Sequence, residues 1–225
     1  MRKATEHQHE NTIFAHILRF LFFLIIVRPV MWYLLGLKIR NRRRLPQSGP
    51  AIVIANHNSH FDTMVMMSLF SLFKLPSVHP VAAADYWMRN RWITWFALNI
   101  VGIVPVLRSS DKEVDPLEPC YQALQQNKIL IYFPEGSRGE PEQMTEFKAG
   151  ILRLAEKFPE VPITPVFLHG LGKIVPRGTS VFVPLFCDVF VGEAVKRATL
   201  PDDFLKNLAN TIVKLGENLS KPRWD

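Results

Sequence analysis

The sequence predicts an α/β fold: a single domain with a largely parallel central sheet flanked by helices, plus an N-terminal hydrophobic helical pair. Three observations predict it. Short aliphatic runs such as Ala51-Ile52-Val53-Ile54-Ala55 alternate with segments whose apolar residues recur at helical spacing. Polar clusters follow some of these runs directly, at the strand ends where open α/β sheets bind ligands. The first 45 residues form a separate apolar block that ends in basic residues. The expected division is a membrane-interfacial helical segment over 1–45 and an α/β domain over 46–225.

In the first segment, 20–27 and 30–37 are unbroken apolar runs separated by Arg28-Pro29. Spanning a bilayer takes about 20 mainly apolar residues. The stretch 13–37 is long enough, but it contains His16, Arg19, Arg28 and the helix-breaking Pro29. Two short helices lying in one leaflet are therefore expected rather than one crossing. Trp32 and Tyr33 suit the interface, and Lys38, Arg40, Arg42, Arg43 and Arg44 suit anionic headgroups. This reads as monotopic association with the cytoplasmic face of a membrane. The plainer reading is an amphipathic pair packed on the domain. A signal peptide is not expected: Glu6 and Glu10 lie in a long n-region, and no small-residue cleavage site follows.

Pro46-Gln47-Ser48-Gly49-Pro50 is a turn-rich joint. Beyond it, strands are expected over 51–56, 78–84, 102–107, 129–133, 163–168 and 179–191. Helices are expected over 63–73, 85–99, 117–127 and 145–158, with a closing amphipathic helix from Phe204 to Leu215. The 225 residues suffice for one domain with a full core, and a 48% hydrophobic content excludes general disorder. A net charge of +7 calls for an anionic partner. The densest basic run abuts the apolar block, which favours lipid over nucleic acid. Cys120 and Cys187 read as buried free thiols of a reducing compartment.

The chemistry centres on Asn56-His57-Asn58-Ser59-His60-Phe61-Asp62. His57 would emerge at the carboxyl end of a buried strand, and Asp62 would open the next helix. From there a carboxylate can fix the imidazole tautomer and make His57 a general base. Asn56 and Ser59 can brace the turn. His57, His60 and Asp62 also offer three metal ligands, yet His79 and His169 lack acidic or cysteine neighbours, so no metal is expected. A second cluster, Phe133-Pro134-Glu135-Gly136-Ser137-Arg138-Gly139, follows another buried strand. Its glycines permit close backbone approach, and Arg108, Arg138 and Lys148 are cations able to hold a phosphate. The sequence has no glycine-lysine phosphate loop, no Gly-x-Gly-x-x-Gly and no Gly-x-Ser-x-Gly elbow. Nucleotide hydrolysis, dinucleotide redox chemistry and serine hydrolysis lose weight accordingly.

Four segments, in order, resemble the motifs of the glycerolipid acyltransferase family, of the lysophosphatidic acid (1-acylglycerol-3-phosphate O-) acyltransferase type. His57 to Asp62 is similar to its His-x4-Asp motif, and 102–108 to its second, with Arg108 at the basic position. Residues 133–138 resemble the third, followed by Phe147-Lys148-Ala149-Gly150, and 161–166 resemble the fourth. Pro105 departs from the unbroken strand expected in the second motif. The resemblance implies His57 as general base, Asp62 orienting it, and direct attack of an acceptor hydroxyl on an acyl thioester. It assigns Glu135, Gly136, Ser137 and Arg138 to acceptor binding, Arg108 to the acceptor phosphate, and Pro165 to the acyl route or site wall. Implied partners are membrane lipids and an acyl carrier protein or coenzyme A thioester, which is a co-substrate; no cofactor is implied. An acyltransferase for another lysolipid or for glycerol 3-phosphate stays open as the alternative, as do two other classes, a metal-dependent hydrolase and a non-enzymatic lipid-binding protein.

Overall fold

The computed structural model describes residues 13–59, 61–107, 115–137, 139, 144–171, 187–199 and 203–217. Its strands are β1 (Lys38–Arg40), β2 (Ala51–Ala55), β3 (Val78–Ala83), β4 (Val104–Val106), β5 (Ile129–Tyr132), β6 (Ile163–His169) and β7 (Asp188–Val191). Its helices are α1 (Ile13–Tyr33), α2 (Asp62–Ser68), α3 (Ala84–Trp87), α4 (Arg91–Phe96), α5 (Glu118–Gln125), α6 (Gly150–Lys157) and α7 (Phe204–Glu217).

Alternation along the aliphatic strands sorts the core. Ala51, Val53, Ala55, Ile129 and Ile131 are buried on one side of the sheet with residues of α1 and α2. Ile52, Ile54 and Leu130 are buried on the other with α5, α6 and α7. Strands covered on both faces read as continuous apolar runs, which is why these were legible. The seven-stranded sheet has the order β1-β7-β6-β2-β5-β3-β4. All pairs are parallel except β6–β7. This is the α/β architecture with a largely parallel sheet that the sequence predicts.

Several boundaries differ. Strand β1 was not expected, because Lys-Ile-Arg offers only one apolar residue; it pairs with β7. The helix expected over 63–73 ends at Ser68, and a 3-10 segment follows at Leu72–Ser77. The helix expected over 85–99 is two helices; Asn90 restarts the chain by accepting a hydrogen bond from Trp92 N–H at 2.8 Å. Pro105 is accommodated because β4 is an edge strand. Both cysteines are buried thiols outside any disulfide.

The N-terminal pair is one helix. Pro29 does not break it, since the turns at Phe23–Val27 and Val30–Leu34 are wide π turns. Widening moves the carbonyl that would clash with the proline ring. The charges that argued against a span serve as anchors. Arg19, 3% exposed, donates to Val78 O at 2.7 Å and Val101 O at 3.0 Å, and Arg28 donates to Phe70 O at 2.8 Å. Ala15, Arg19, Phe23, Val27 and Met31, four residues apart, form the stripe buried against the domain. Gly102 (φ +71°) makes room for the Arg19 guanidinium, which would lie 2.5 Å from a Cβ there. The basic block is partly spent on the domain as well: Arg42 Nε donates to Leu69 O, Arg44 pairs with Glu193, and Arg40 lies over the Phe190 ring.

His79 of β3 stands under the same junction, with Nδ1 facing Gly102 O at 2.7 Å and Nε2 facing Pro76 O at 3.1 Å. Burial, and next the Arg19 charge, push its pKa down to about 4 from 6.5, against the pull of the two carbonyls. Between these values the unfolded chain binds a proton that the folded chain does not, so stability falls as pH drops from 6.5 towards 4. The loss is about 3 kcal/mol at most. Chemical denaturation across that range should show a shallower acid slope in His79→Gln than in the parent.

Candidate active site

The sheet splits where the site lies. β3 pairs with β5 as far as Pro80 and with β4 from Val81 onwards. A cavity of about 700 Å³ lies at the carboxyl ends of these strands, with Val81, Ala82, Ala83, Val106, Tyr132 and Phe133 in its wall. Tyr86 and Trp87 of α3, Leu107 and Leu117 extend the apolar lining. Its polar side holds His57, Thr63, Ser137, Lys148 and Arg153.

His57 emerges from the buried end of β2. Asn56 fixes that end, its amide exchanging hydrogen bonds of 2.9 and 2.8 Å with the Leu168 backbone of β6. Asp62 opens α2 and is fully buried. Its Oδ2 accepts from Asn58 N–H at 2.7 Å and Ser59 N–H at 2.8 Å, and lies 2.9 Å from His57 Nδ1. An ionised carboxylate can only accept, so this contact assigns the imidazole proton to Nδ1 and leaves the Nε2 lone pair as the basic site. The ring stacks on Phe133 with centroids 4.2 Å apart, which limits its rotation.

Glu135 was expected on the acceptor; its carboxylate is instead spent within the protein. It is 1% exposed, Oε1 accepting from His57 N–H at 2.8 Å and Oε2 from Thr145 N–H at 2.9 Å and Thr145 Oγ1 at 2.8 Å. The loop after β5 is thereby tied to the end of β2, and Gly139 N–H adds a bond to His57 O at 3.2 Å. Gly136 has φ +70°, and Lys148 Nζ lies 3.1 Å from where its Cβ would be, so a glycine lets the lysine cross the loop. Burial pushes the Tyr132 phenol up to about 12, so it stays protonated in the cavity wall.

The structure thus gathers His57, Gly136, Ser137 and Lys148 on one cavity, with Asp62 and Glu135 behind His57. Pro165 was expected at the acyl route or site wall. It is buried in β6 opposite Ile54, its ring against Gly192, and does not line the cavity. Arg108, Arg138 and His60 lie outside the described residues. Sequence reasoning missed Phe133 as the stacking partner, Thr145 as the second anchor of Glu135, and Arg153, which binds Asp115 at 2.7 Å. Only Phe133 left a signal, since it heads the motif-like loop. Among the described residues no three His, Cys, Asp or Glu side chains meet as a metal site.

The family model described as Acyltransferase matches residues 36–169. The 1-acyl-sn-glycerol-3-phosphate acyltransferase LPAT1, chloroplastic, of Arabidopsis thaliana is 31% identical over 146 residues, covering 64% of this chain and 39% of that protein. The 1-acyl-sn-glycerol-3-phosphate acyltransferase alpha of Homo sapiens is 26% identical over 184 residues, covering 80% and 62%. The chain therefore spans about two-fifths to three-fifths of the length of these relatives. In fold it is similar to the crystal structure of the 1-acyl-sn-glycerophosphate (LPA) acyltransferase PlsC from Thermotoga maritima, with a TM-score of 0.67 at 17% identity over 99% of both chains. The matched stretch runs from β1 to the end of β6 and contains His57, Asp62, Glu135 and Lys148; the chain belongs to the acyltransferase family.

Proposed function

We propose that this chain moves a fatty acyl group from an acyl thioester, carried on acyl carrier protein or coenzyme A, to the free hydroxyl of a lysophospholipid. The acceptor we favour is 1-acylglycerol 3-phosphate, which gives phosphatidic acid. The observation that carries the reading is the His57–Asp62 pair at 2.9 Å, opening on a cavity with an apolar wall and a lysine. His57 Nε2 takes the acceptor hydroxyl proton as the oxygen attacks the thioester carbonyl. Asp62 stabilises the resulting imidazolium. The tetrahedral intermediate collapses, the C–S bond breaks, and the thiolate leaves with the proton from His57. No residue of the chain is acylated. Lys148, with Arg108 and Arg138, holds the acceptor phosphate, while Glu135 positions His57 through its backbone.

Both relatives are named for 1-acyl-sn-glycerol 3-phosphate, which supports the choice of acceptor. Membrane association is part of the proposal. One stripe of α1 is spent on the domain, whereas Phe14, Ile17, Leu21, Ile25 and Ile26 are exposed on the same helix. A helix so docked lies against the body, and its outer face suits one leaflet, the cytoplasmic one. Thioester donors assayed against a panel of lysolipids should show free thiol released only with an acceptor present, and fastest with 1-acylglycerol 3-phosphate. Lysolipid binding without thiol release would instead identify a lipid-binding protein. Arg108→Ala is expected to raise the acceptor KM roughly tenfold with little change in kcat. An unchanged KM would remove Arg108 from the phosphate site.

A further inference from the structure

Helices α3 and α4, with the turns that directly follow them, carry an exposed apolar surface for which the chemistry above has no use. Trp92, Ile93, Trp95 and Leu98 are all exposed, Trp92 at 73%, and Tyr86 and Met88 precede them. Side chains of this size left together in water mark a surface that something covers. Two arginines stack among them, beside one acidic side chain, Asp85 of α3. Arg89 lies over the Tyr86 ring at 5.4 Å, and Arg91 over the Trp92 ring at 5.7 Å. Tryptophan and tyrosine interleaved with arginine are the composition of a bilayer interface facing anionic headgroups.

We propose that α3 and α4 form a second membrane-contact surface, which enters the headgroup–acyl boundary of an anionic bilayer beside the cavity. Continuity with α1 favours a bilayer over any other occupant. Phe22 meets Phe96 edge-on at 5.3 Å, and Arg19 donates to Val101 O. The exposed Ile25 and Ile26 of α1 and the exposed Trp92 and Ile93 of α4 each lie within four residues of that ring contact, so apolar surface continues from one helix to the other there. Tyr86 and Trp87 sit at its edge and also line the cavity, so docking through this surface turns the cavity towards the lipid that holds the acceptor. The inference rests on the membrane association proposed above and adds a second element to it.

The test compares the full chain with two variants, Trp92→Glu/Trp95→Glu on α4 and Leu21→Glu/Ile25→Glu on α1. Each is sedimented with phosphatidylcholine vesicles with and without phosphatidylglycerol. Turnover is measured separately on a short-chain, water-soluble lysolipid. The α4 variant should lose vesicle binding roughly tenfold or more, chiefly with phosphatidylglycerol, and keep turnover on the soluble acceptor. In Trp92→Phe/Trp95→Phe made in a Trp32→Phe background, which removes the interfacial tryptophan of α1, quenching of tryptophan fluorescence by brominated lipid should fall sharply while binding persists. Release by the α1 variant alone would overturn the inference and leave membrane association standing. Failure of the parent chain to bind vesicles would sink both. An α4 variant that binds vesicles normally but loses only turnover with acyl carrier protein thioesters would reassign the surface to an acidic protein. If the glutamate variant does not fold, unchanged quenching in the phenylalanine pair overturns the inference.

Discussion

His57→Ala should reduce acyl transfer by roughly a thousandfold while leaving the fold intact. In the proposed reaction the side chain supplies the basic nitrogen, whereas the structural bonds at this position come from the backbone. His57 N–H donates to Glu135 and His57 O accepts from Gly139, and an alanine keeps both. Asp62 would retain Asn58 N–H and Ser59 N–H on Oδ2. What is lost is the stack on Phe133 and one partner of Asp62. The thermal unfolding midpoint should therefore move by only a few degrees, and rate and stability should separate cleanly. Retained turnover in the purified variant would sink the base assignment.

Glu135 gives the opposite signature. Glu135→Ala removes a buried acceptor from His57 N–H, Thr145 N–H and Thr145 Oγ1 together. Donors stranded in a dry site cost on the order of 3 kcal/mol, which for a chain of this size lowers the midpoint by about 6–12 °C. Activity should fall with it, mainly in kcat, because the strand end that aims His57 loosens. Glu135→Gln keeps one carbonyl oxygen but turns an amide donor towards one of these N–H groups, so it should fall between the two. Unfolding and steady-state kinetics on both variants decide the matter. A raised acceptor KM with unchanged stability would restore Glu135 to direct substrate binding.

The contrast between these two residues shows what the sequence could reveal. His57 was legible because Ala51–Ala55 is buried on both faces and reads as one apolar run, so whatever follows it stands at the sheet edge. The pairing with Asp62 was legible because it spans five residues and one helix start. The inward bonds of Glu135 were not legible because its partner His57 lies 78 residues away, and no local pattern reports a side chain that turns inward. Arg19 failed for the same reason. In sequence it is a charge that spoils a membrane helix; in the fold it binds carbonyls 59 and 82 residues away. Pro29 looked like a break, yet π turns on both sides absorb it. Local punctuation set the boundaries less well than it set the elements.

In the proposed reaction the acyl group passes directly from thioester to lysolipid, and the base is never acylated. A rapid-quench experiment with radiolabelled acyl thioester, run with and without 1-acylglycerol 3-phosphate, tests it most directly. Thiol should be released in step with labelled phosphatidic acid, only when acceptor is present, with no label on the protein. Thiol released without acceptor, with acyl label retained on the chain, would contradict it.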